Sequence, residues 1–222
     1  MAKVRIFASA LALTSPLVLV AATGAQASTV SSSASSSAAV PAKPAGAVSA
    51  AAVTKSLKLV TQEQSKNYYC GPAAGRAVVS SFLPKKSLPS QKTMAGYMHT
   101  KPPGGTGANW VAIGINKAIH LGSYYQNLHP TSSGFVWNAV TYDVGTKKHP
   151  LVARVLVGAK PWSHSSNKDG HFMVIYGYHS DSKGKQLYWW DPADNTFHHS
   201  SLSSSWTAIS KGNKNLLGFY PS

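Results

Sequence analysis

The stretch YYCGPAAG, from Tyr68 to Gly75, contains the single cysteine of a 222-residue chain. Alanines and valines recur at helical spacing from Pro72 to Leu83, and Pro84 follows at once, which predicts a helix bounded by proline at both ends. Cys70 would then lie at a helix N-terminus, where free backbone N–H groups and the helix dipole favour a thiolate. A lone cysteine elsewhere is most often a small buried hydrophobic residue. The position at a helix start favours a nucleophile instead.

Residues 1–27 have the pattern of a secretory signal peptide. Lys3 and Arg5 form a short basic region, residues 6–22 are mostly apolar, and Ala25-Gln26-Ala27 has the small residues of a cleavage site. The apolar run is shorter than the roughly 20 residues of a membrane-spanning helix, and Pro16 interrupts it. We expect cleavage after Ala27 and a secreted, extracellular product without a membrane anchor. An unpaired thiol in that compartment is buried and inert, paired between molecules, or reactive.

Residues 28–54 are built almost wholly of serine, alanine, valine, proline and glycine, and they include no aromatic residue. Such a segment cannot bury enough apolar surface to offset the entropy of ordering it, so we interpret it as a disordered linker. Its removal as a pro-segment is an open alternative. From residue 55 to residue 222 the composition is that of a globular protein, with length for one domain around one core.

The chain is strongly basic, with 21 lysines and arginines against 6 acidic residues and a formal charge of +15. Nucleic acid, anionic cell-wall polymers or an acidic protein substrate could each exploit such a field. Nearly all of the charge is lysine, and only Arg76 and Arg154 follow the signal peptide. Arginine is the usual reader of guanine edges, so we expect no specific nucleic-acid recognition. A loose association with wall polymers stays open.

Helical patterns fill the first half of the globular region and strand patterns fill the second. Branched and aromatic runs indicate the strands, and the turn signal at residues 181–184 predicts a hairpin between the second and third of the late strands. Helices followed by an antiparallel sheet make an α+β domain. Beyond the first helix, the predicted helices are Ser90–Met98, Asn109–Leu121 and Ser133–Val144; the predicted strands are Leu57–Thr61, Leu151–Val157, His171–His179, Gln186–Asp191 and Leu216–Tyr220; residues 200–209 fit a short helix or a loop.

A catalytic cysteine needs a base, and the chain has 9 histidines. His171 differs from the others because it follows Gly170 and opens an apolar strand, which would hold its side chain rigidly at the edge of a cleft. Asp191 ends the next strand, and the predicted hairpin would bring it alongside. A carboxylate there could orient the imidazole. An aspartate before Pro192 could equally initiate a turn.

Histidines are also common metal ligands, but their spacing in this chain does not favour a metal site. On one strand His171 and His179 would lie about 26 Å apart at roughly 3.3 Å per residue, too far to share an ion. The pair His198-His199 lacks a third ligand at a recognisable spacing. We expect no metal ion and no cofactor.

These motifs together resemble the cysteine peptidases related to the double-glycine leader peptidases of bacteriocin exporters, which have the papain-like fold. The resemblance covers about Leu57 to Ser222, and it implies N-terminal helices packed on an antiparallel sheet, with the nucleophile at a helix N-terminus. The residues that carry it are Tyr69 to Ala74, Gly105-Thr106, Gly170 to Val174 with Gly177-Tyr178, and Asp191-Pro192.

The resemblance implies a role for four residues: Cys70 as nucleophile, His171 as general base, Asp191 as the group that orients the histidine, and an upstream glutamine as an oxyanion donor. Gln64 stands six residues before Cys70, a spacing common in papain-like enzymes, and is preferred over Gln62. The implied function is a cysteine peptidase that cleaves a peptide or protein substrate through a thioester, and we expect the secreted protein to be a monomer. The alternatives are an acyltransferase or amidase acting on isopeptide or cell-wall peptide amides, and a catalytically silent basic binding module.

Overall fold

The computed structural model describes residues 51–219. The predicted signal peptide, nearly all of the predicted linker and Tyr220 lie outside these residues. The helices are α1 Cys70–Val79, α2 Gln91–Tyr97, α3 Ala108–Ile119, α4 Ser133–Val140 and α5 Leu202–Lys211. The strands are β1 Val53–Ser56, β2 Gln126–Asn127, β3 Leu151–Leu156, β4 Gly170–Asp181, β5 Gly184–Asp191, β6 Thr196–Ser201 and β7 Leu216–Gly218. Within the described residues, none of the helices combines the length and apolar character that crossing a bilayer requires.

The seven strands form one antiparallel sheet. Six of them follow the order β2-β7-β3-β4-β5-β6, and β1 pairs with β4 outside this path. The long strand β4 pairs with three other strands. On one edge, β3 pairs with residues 170–175 of β4, and β1 pairs with residues 177–180. On its other edge β4 pairs with β5 through the turn at residues 181–184, so the predicted hairpin is confirmed. The hairpin aligns the end of β5 with the beginning of β4.

Helices cover both faces of this sheet, because alternate residues of the central strands are apolar on both sides. Val152 and Val174 face a core shared with α1, α2 and α3. Ala153 and Ile175, each one residue further along, face a second core shared with α4 and α5. The neighbouring Trp189 and Trp190 divide in the same way between the two cores. The predicted α+β fold is confirmed.

Small residues after the cysteine let α1 approach its neighbours closely. Ala73 and Ala74 are almost fully buried. A Cβ atom on Gly75 would lie 2.3 Å from Cε of Met98, and a Cβ atom on Gly71 would lie 2.9 Å from the hydroxyl oxygen of Thr106. A larger side chain at either position would require Met98, Thr106 or the helix itself to shift. The small residues of α1 therefore allow its first turn, which carries Cys70, to pack closely against Thr106 and Met98.

The structure differs from the sequence predictions at several element boundaries. The first strand is Val53–Ser56, which begins inside the predicted linker, and residues 57–61 form no strand. All four residues of β1 are exposed, so its pairing with β4 leaves no apolar pattern to detect. The mostly polar strand β6 escaped prediction for the same reason. The fourth helix ends its α-helical part at Val140 and continues as π-helical turns over Thr141–Lys147, while residues 202–211 form a helix capped by Ser201.

Candidate active site

Cys70 is the first residue of α1, and only 8% of its surface is exposed. Burial by itself raises the pKa of the thiol. A hydrogen bond and charge interaction with His171 outweigh burial, and backbone N–H groups of Phe172 and Gly71 add to them, so that the pKa lies below its ordinary value. The thiol is therefore held in the electrostatic environment of a reactive cysteine.

His171 is the second residue of β4 and its ring is buried. Its Nε2 atom donates a hydrogen bond to Oδ1 of Asp191 across 2.6 Å, which leaves Nδ1 as the ring nitrogen for the thiol of Cys70. Burial would lower the pKa of the imidazole, but its hydrogen bonds with Asp191 and Cys70 and their negative charges raise this pKa to about 9. A low thiol pKa beside a high imidazole pKa stabilises a thiolate–imidazolium pair.

Asp191 is the last residue of β5, and its side chain is completely buried. Burial would raise the pKa of the carboxyl group, but the hydrogen bond and charge of His171 outweigh it, so the pKa lies well below its usual range. Oδ1 also accepts a hydrogen bond from the backbone N–H of Ala193 at 2.9 Å. The carboxylate thus hydrogen-bonds His171 and also stabilises the turn after β5. The two roles that the sequence suggested for Asp191, orienting the imidazole and initiating a turn, are therefore compatible.

Lys160 is a partner of Asp191 that sequence reasoning missed. It follows the short 3-10 turn Val157–Ala159 at the end of β3, and its Nζ atom donates to Oδ2 of Asp191 at 2.9 Å. The lysine side chain is 15% exposed and the carboxylate is fully buried, so the pair is shielded from solvent. The chain is rich in lysines and Lys160 has no distinctive neighbours, so nothing in the sequence marked it.

Gln64 lies in the loop before α1 but is not brought into the cleft beside Cys70. Its side-chain Nε2 atom donates to the backbone carbonyls of Lys66 and Asn67, each at 3.1 Å, so both N–H groups of the amide are used within the loop. Its backbone N–H donates to the carbonyl of Pro192 at 2.8 Å, which ties the loop to the turn after Asp191. In this conformation Gln64 braces the approach to Cys70.

The same loop is held from the other side by Gln91, which sequence reasoning also missed. Gln91 is 4% exposed at the start of α2. Its amide donates to the carbonyl of Glu63 at 2.7 Å and accepts from the backbone N–H of Ser65 at 2.9 Å. Gln62, the other candidate for an oxyanion donor, has an exposed side chain and contributes only its carbonyl to this contact. The loop before the nucleophile is therefore fixed by buried amides.

A cleft of about 450 Å³ opens at Cys70. Residues of the loop at Gly105-Thr106 line it, together with residues of β3 and of the start of β4. Its lining residues include Asn67, Tyr68, Gly104, Arg154, Asp169, Gly170 and Phe172. A larger cavity of about 630 Å³ lies between the β4–β5 turn and α5, and its lining includes none of the predicted site residues. Among residues 51–219, no three histidine, cysteine or acidic side chains cluster closely enough to hold a metal ion.

Comparison with known proteins identifies relatives of this domain. The model of the peptidase C39 like family matches residues 54–214, more than half of the chain. A crystal structure from Bacillus anthracis, provisionally described as a C39-like peptidase, superposes with a TM-score of 0.55 at 10% sequence identity. The match covers 77% of this chain and 98% of that one, and at this identity it speaks for the fold alone. Among curated proteins, none matches the chain.

Proposed function

The chain belongs to the peptidase C39 like family and is a cysteine peptidase, and on that premise we propose that it is a secreted enzyme that hydrolyses peptide bonds through Cys70, His171 and Asp191. The observation that carries the proposal is the buried imidazole of His171, which donates from Nε2 to the buried carboxylate of Asp191 and lowers the pKa of the Cys70 thiol. Secretion rests on the signal-peptide pattern of residues 1–27, and an N-terminus at Ser28 in the exported protein would test it.

The proposed reaction begins with attack of the Cys70 thiolate on the carbonyl carbon of the scissile amide. The protonated His171 then donates its proton to the departing amine as the carbon–nitrogen bond breaks, which leaves a thioester on Cys70. Water attacks this thioester, His171 accepts the proton of that water, and the carbon–sulfur bond breaks to release the acid. Asp191 holds the imidazole in place and stabilises its positive charge throughout.

Two donors are proposed for the oxyanion that forms in each half of this reaction. The backbone N–H of Cys70 lies in the first turn of α1, where such groups have no partner within the helix. The second donor is Gln64, which would exchange one of its two loop carbonyls for the substrate oxygen. Hydrogen bonds of this kind often form fully only when the substrate is bound.

Replacing Gln64 with alanine is expected to lower kcat/KM for peptide hydrolysis about 10²-fold, because one oxyanion donor is lost. Alkylation of Cys70 by iodoacetamide forms no oxyanion, so its rate should change little. The exposed Gln62 supplies a matched control, and Gln62→Ala should leave both rates within a few-fold of wild type. Equal slowing of alkylation and hydrolysis by Gln64→Ala would instead mean that the glutamine only braces the loop.

The proposal as a whole is tested by incubating a peptide library with wild type and with Cys70→Ala, and by measuring the products by mass spectrometry. Hydrolysis predicts paired fragments, one of which has gained water, and their absence with the variant. With a primary amine added as a competing acceptor, an acyltransferase would yield fragments that carry the amine in preference to water. Products formed equally well by Cys70→Ala would overturn the assignment of the nucleophile.

A further inference from the structure

We propose that Arg154 binds a carboxylate of the substrate next to the scissile bond, so that this site selects peptides that carry an acidic group there. The inference rests on the proposed function of Cys70 and names the chemical class of its substrates. The carboxylate is either an acidic side chain or a free C-terminus, since both present the same pair of oxygens to a guanidinium.

The backbone of Arg154 is held in the sheet next to the strand that carries His171. It lies on β3, directly opposite Phe172 in the β3–β4 ladder, while the next residue, Val155, is opposite His171. The backbone N–H of Arg154 donates to the carbonyl of Asn215 at 3.0 Å. A side chain on a central strand is positioned more precisely than one on a loop, as recognition of a fixed substrate group requires.

The guanidinium of Arg154 reaches into the cleft that opens at Cys70. Arg154 and Cys70 line the same cavity of about 450 Å³. A Cβ atom on Gly170, the residue before His171, would lie 2.2 Å from Nη2 of Arg154, so the absence of a side chain there gives the guanidinium its room. The positive charge therefore borders the cavity into which Cys70 opens.

The charge of Arg154 is not neutralised within the structure. Across residues 51–219, the ion pairs within 4.0 Å all involve other residues. The hydrogen bond recorded for the guanidinium is a long one of 3.5 Å, from Nη1 to the carbonyl of Gly212. A guanidinium has five N–H donors in a planar fork that matches a carboxylate. A partly buried fork with most of its donors unused is suited to bind an anion.

Among the described residues that line the cleft, Arg154 is the basic one and Asp169 is the acidic one. The lining also includes Gly104 and Gly105, which have no side chain to compete with Arg154 for an anion. Asp169 is exposed and forms no ion pair with Arg154, so its charge opposes an acidic ligand and leaves the attraction to the guanidinium. The formal charge of +15 on the whole chain attracts acidic peptides to the surface.

Matched peptides test this inference. Each pair differs by Asp against Asn, or Glu against Gln, at one of the two positions on either side of the cleaved bond; a separate arm compares a free C-terminus with its amide. We expect wild type to favour the carboxylate member of one pair by about 10- to 100-fold in kcat/KM, the range typical of a charged hydrogen bond. The arm in which the preference occurs distinguishes a side chain from a chain terminus.

Variants of the arginine complete the test. Arg154→Gln should bring the ratio of acidic to neutral peptide close to one, and Arg154→Glu should favour a Lys peptide over its acidic counterpart. Asp169→Asn, in the same cleft, should keep or increase the preference for acid. Alkylation of Cys70 by the uncharged reagent iodoacetamide reports whether each variant still has an intact site.

The two proposals fail in different ways. If wild type cleaves neutral and acidic peptides equally, or if Arg154→Gln with normal alkylation keeps the preference, the role of Arg154 is wrong while the peptidase stands. If no peptide is cleaved and Cys70 does not react with iodoacetamide, the proposed function itself fails, and the substrate class fails with it.

Discussion

Replacing Cys70 with alanine is expected to lower kcat/KM for peptide hydrolysis by about 10³-fold or more, because no other group can form the thioester. Cys70 is the only cysteine of the chain, so no second thiol can substitute for it. Initial rates on a cleaved library peptide measure the effect. Unfolding by urea provides the control, which is needed because Cys70 is only 8% exposed. The change from cysteine to alanine is small and should leave the fold intact.

The pH dependence of wild type should show the paired ionisation of Cys70 and His171. The rate of alkylation by iodoacetamide should rise as the pH passes through the lowered pKa of the thiol, below the range of an ordinary cysteine, and should stay high above it. Hydrolysis needs the protonated imidazole as well, so it should fall again as the pH passes about 9, where His171 loses its proton. A thiol that reacts only at the pH of a free cysteine, or only after denaturation, would contradict the assignment.

Sequence reasoning could predict the main geometry of the site because strong local signals controlled it. Proline punctuation and small residues placed Cys70 at the start of α1, as the structure has it. The turn at residues 181–184 predicted the β4–β5 hairpin, and that hairpin brings His171 to Asp191 even though they are 20 residues apart in the chain. For Cys70 the signals were helical spacing and the flanking prolines, and for the hairpin they were two strand patterns joined by turn residues.

The remaining parts of the site depend on contacts that leave no pattern in the sequence. Lys160 meets Asp191 only because an irregular segment after β3 turns it inward. The amide of Gln64 is directed by loop carbonyls, which no spacing rule describes. Arg154 had a detectable signal, since a charge inside the apolar run LVARVL is costly to bury without a purpose. That signal shows that a residue is unusual, and the fold is needed to show which cleft it lines.

Replacing Asp191 with asparagine is expected to lower kcat/KM about 10³-fold, more than a change of one atom suggests. In wild type, Oδ1 accepts hydrogen bonds from His171 and Ala193 while Oδ2 accepts one from Lys160. An amide has a single oxygen. In one orientation its NH2 group faces the ammonium of Lys160, and in the other it faces the N–H groups of His171 and Ala193. Either orientation opposes donor to donor in a buried site.

The same substitution should also change the pH profile. Without the carboxylate, the pKa of His171 falls from about 9, because the hydrogen bond and charge of Asp191 help to raise it. The alkaline limb of the hydrolysis profile should therefore move to lower pH in Asp191→Asn. An unchanged limb alongside a large loss of activity would mean that Asp191 acts only by holding the turn through Ala193.

Lys160→Met supplies the matched background for this prediction. By itself it should lower the free energy of unfolding by roughly 1.5 to 3 kcal/mol, the usual contribution of a hydrogen bond to a charged group. In this background the NH2 group of asparagine faces an apolar side chain, and its oxygen stays free to accept from His171. The double variant should therefore recover part of the activity that Asp191→Asn loses, a positive coupling in a double-mutant cycle. If the double variant is no more active than Asp191→Asn, then Lys160 does not explain the need for a carboxylate at this position. If the double variant regains activity, a carboxylate is needed because three donors converge on one side chain.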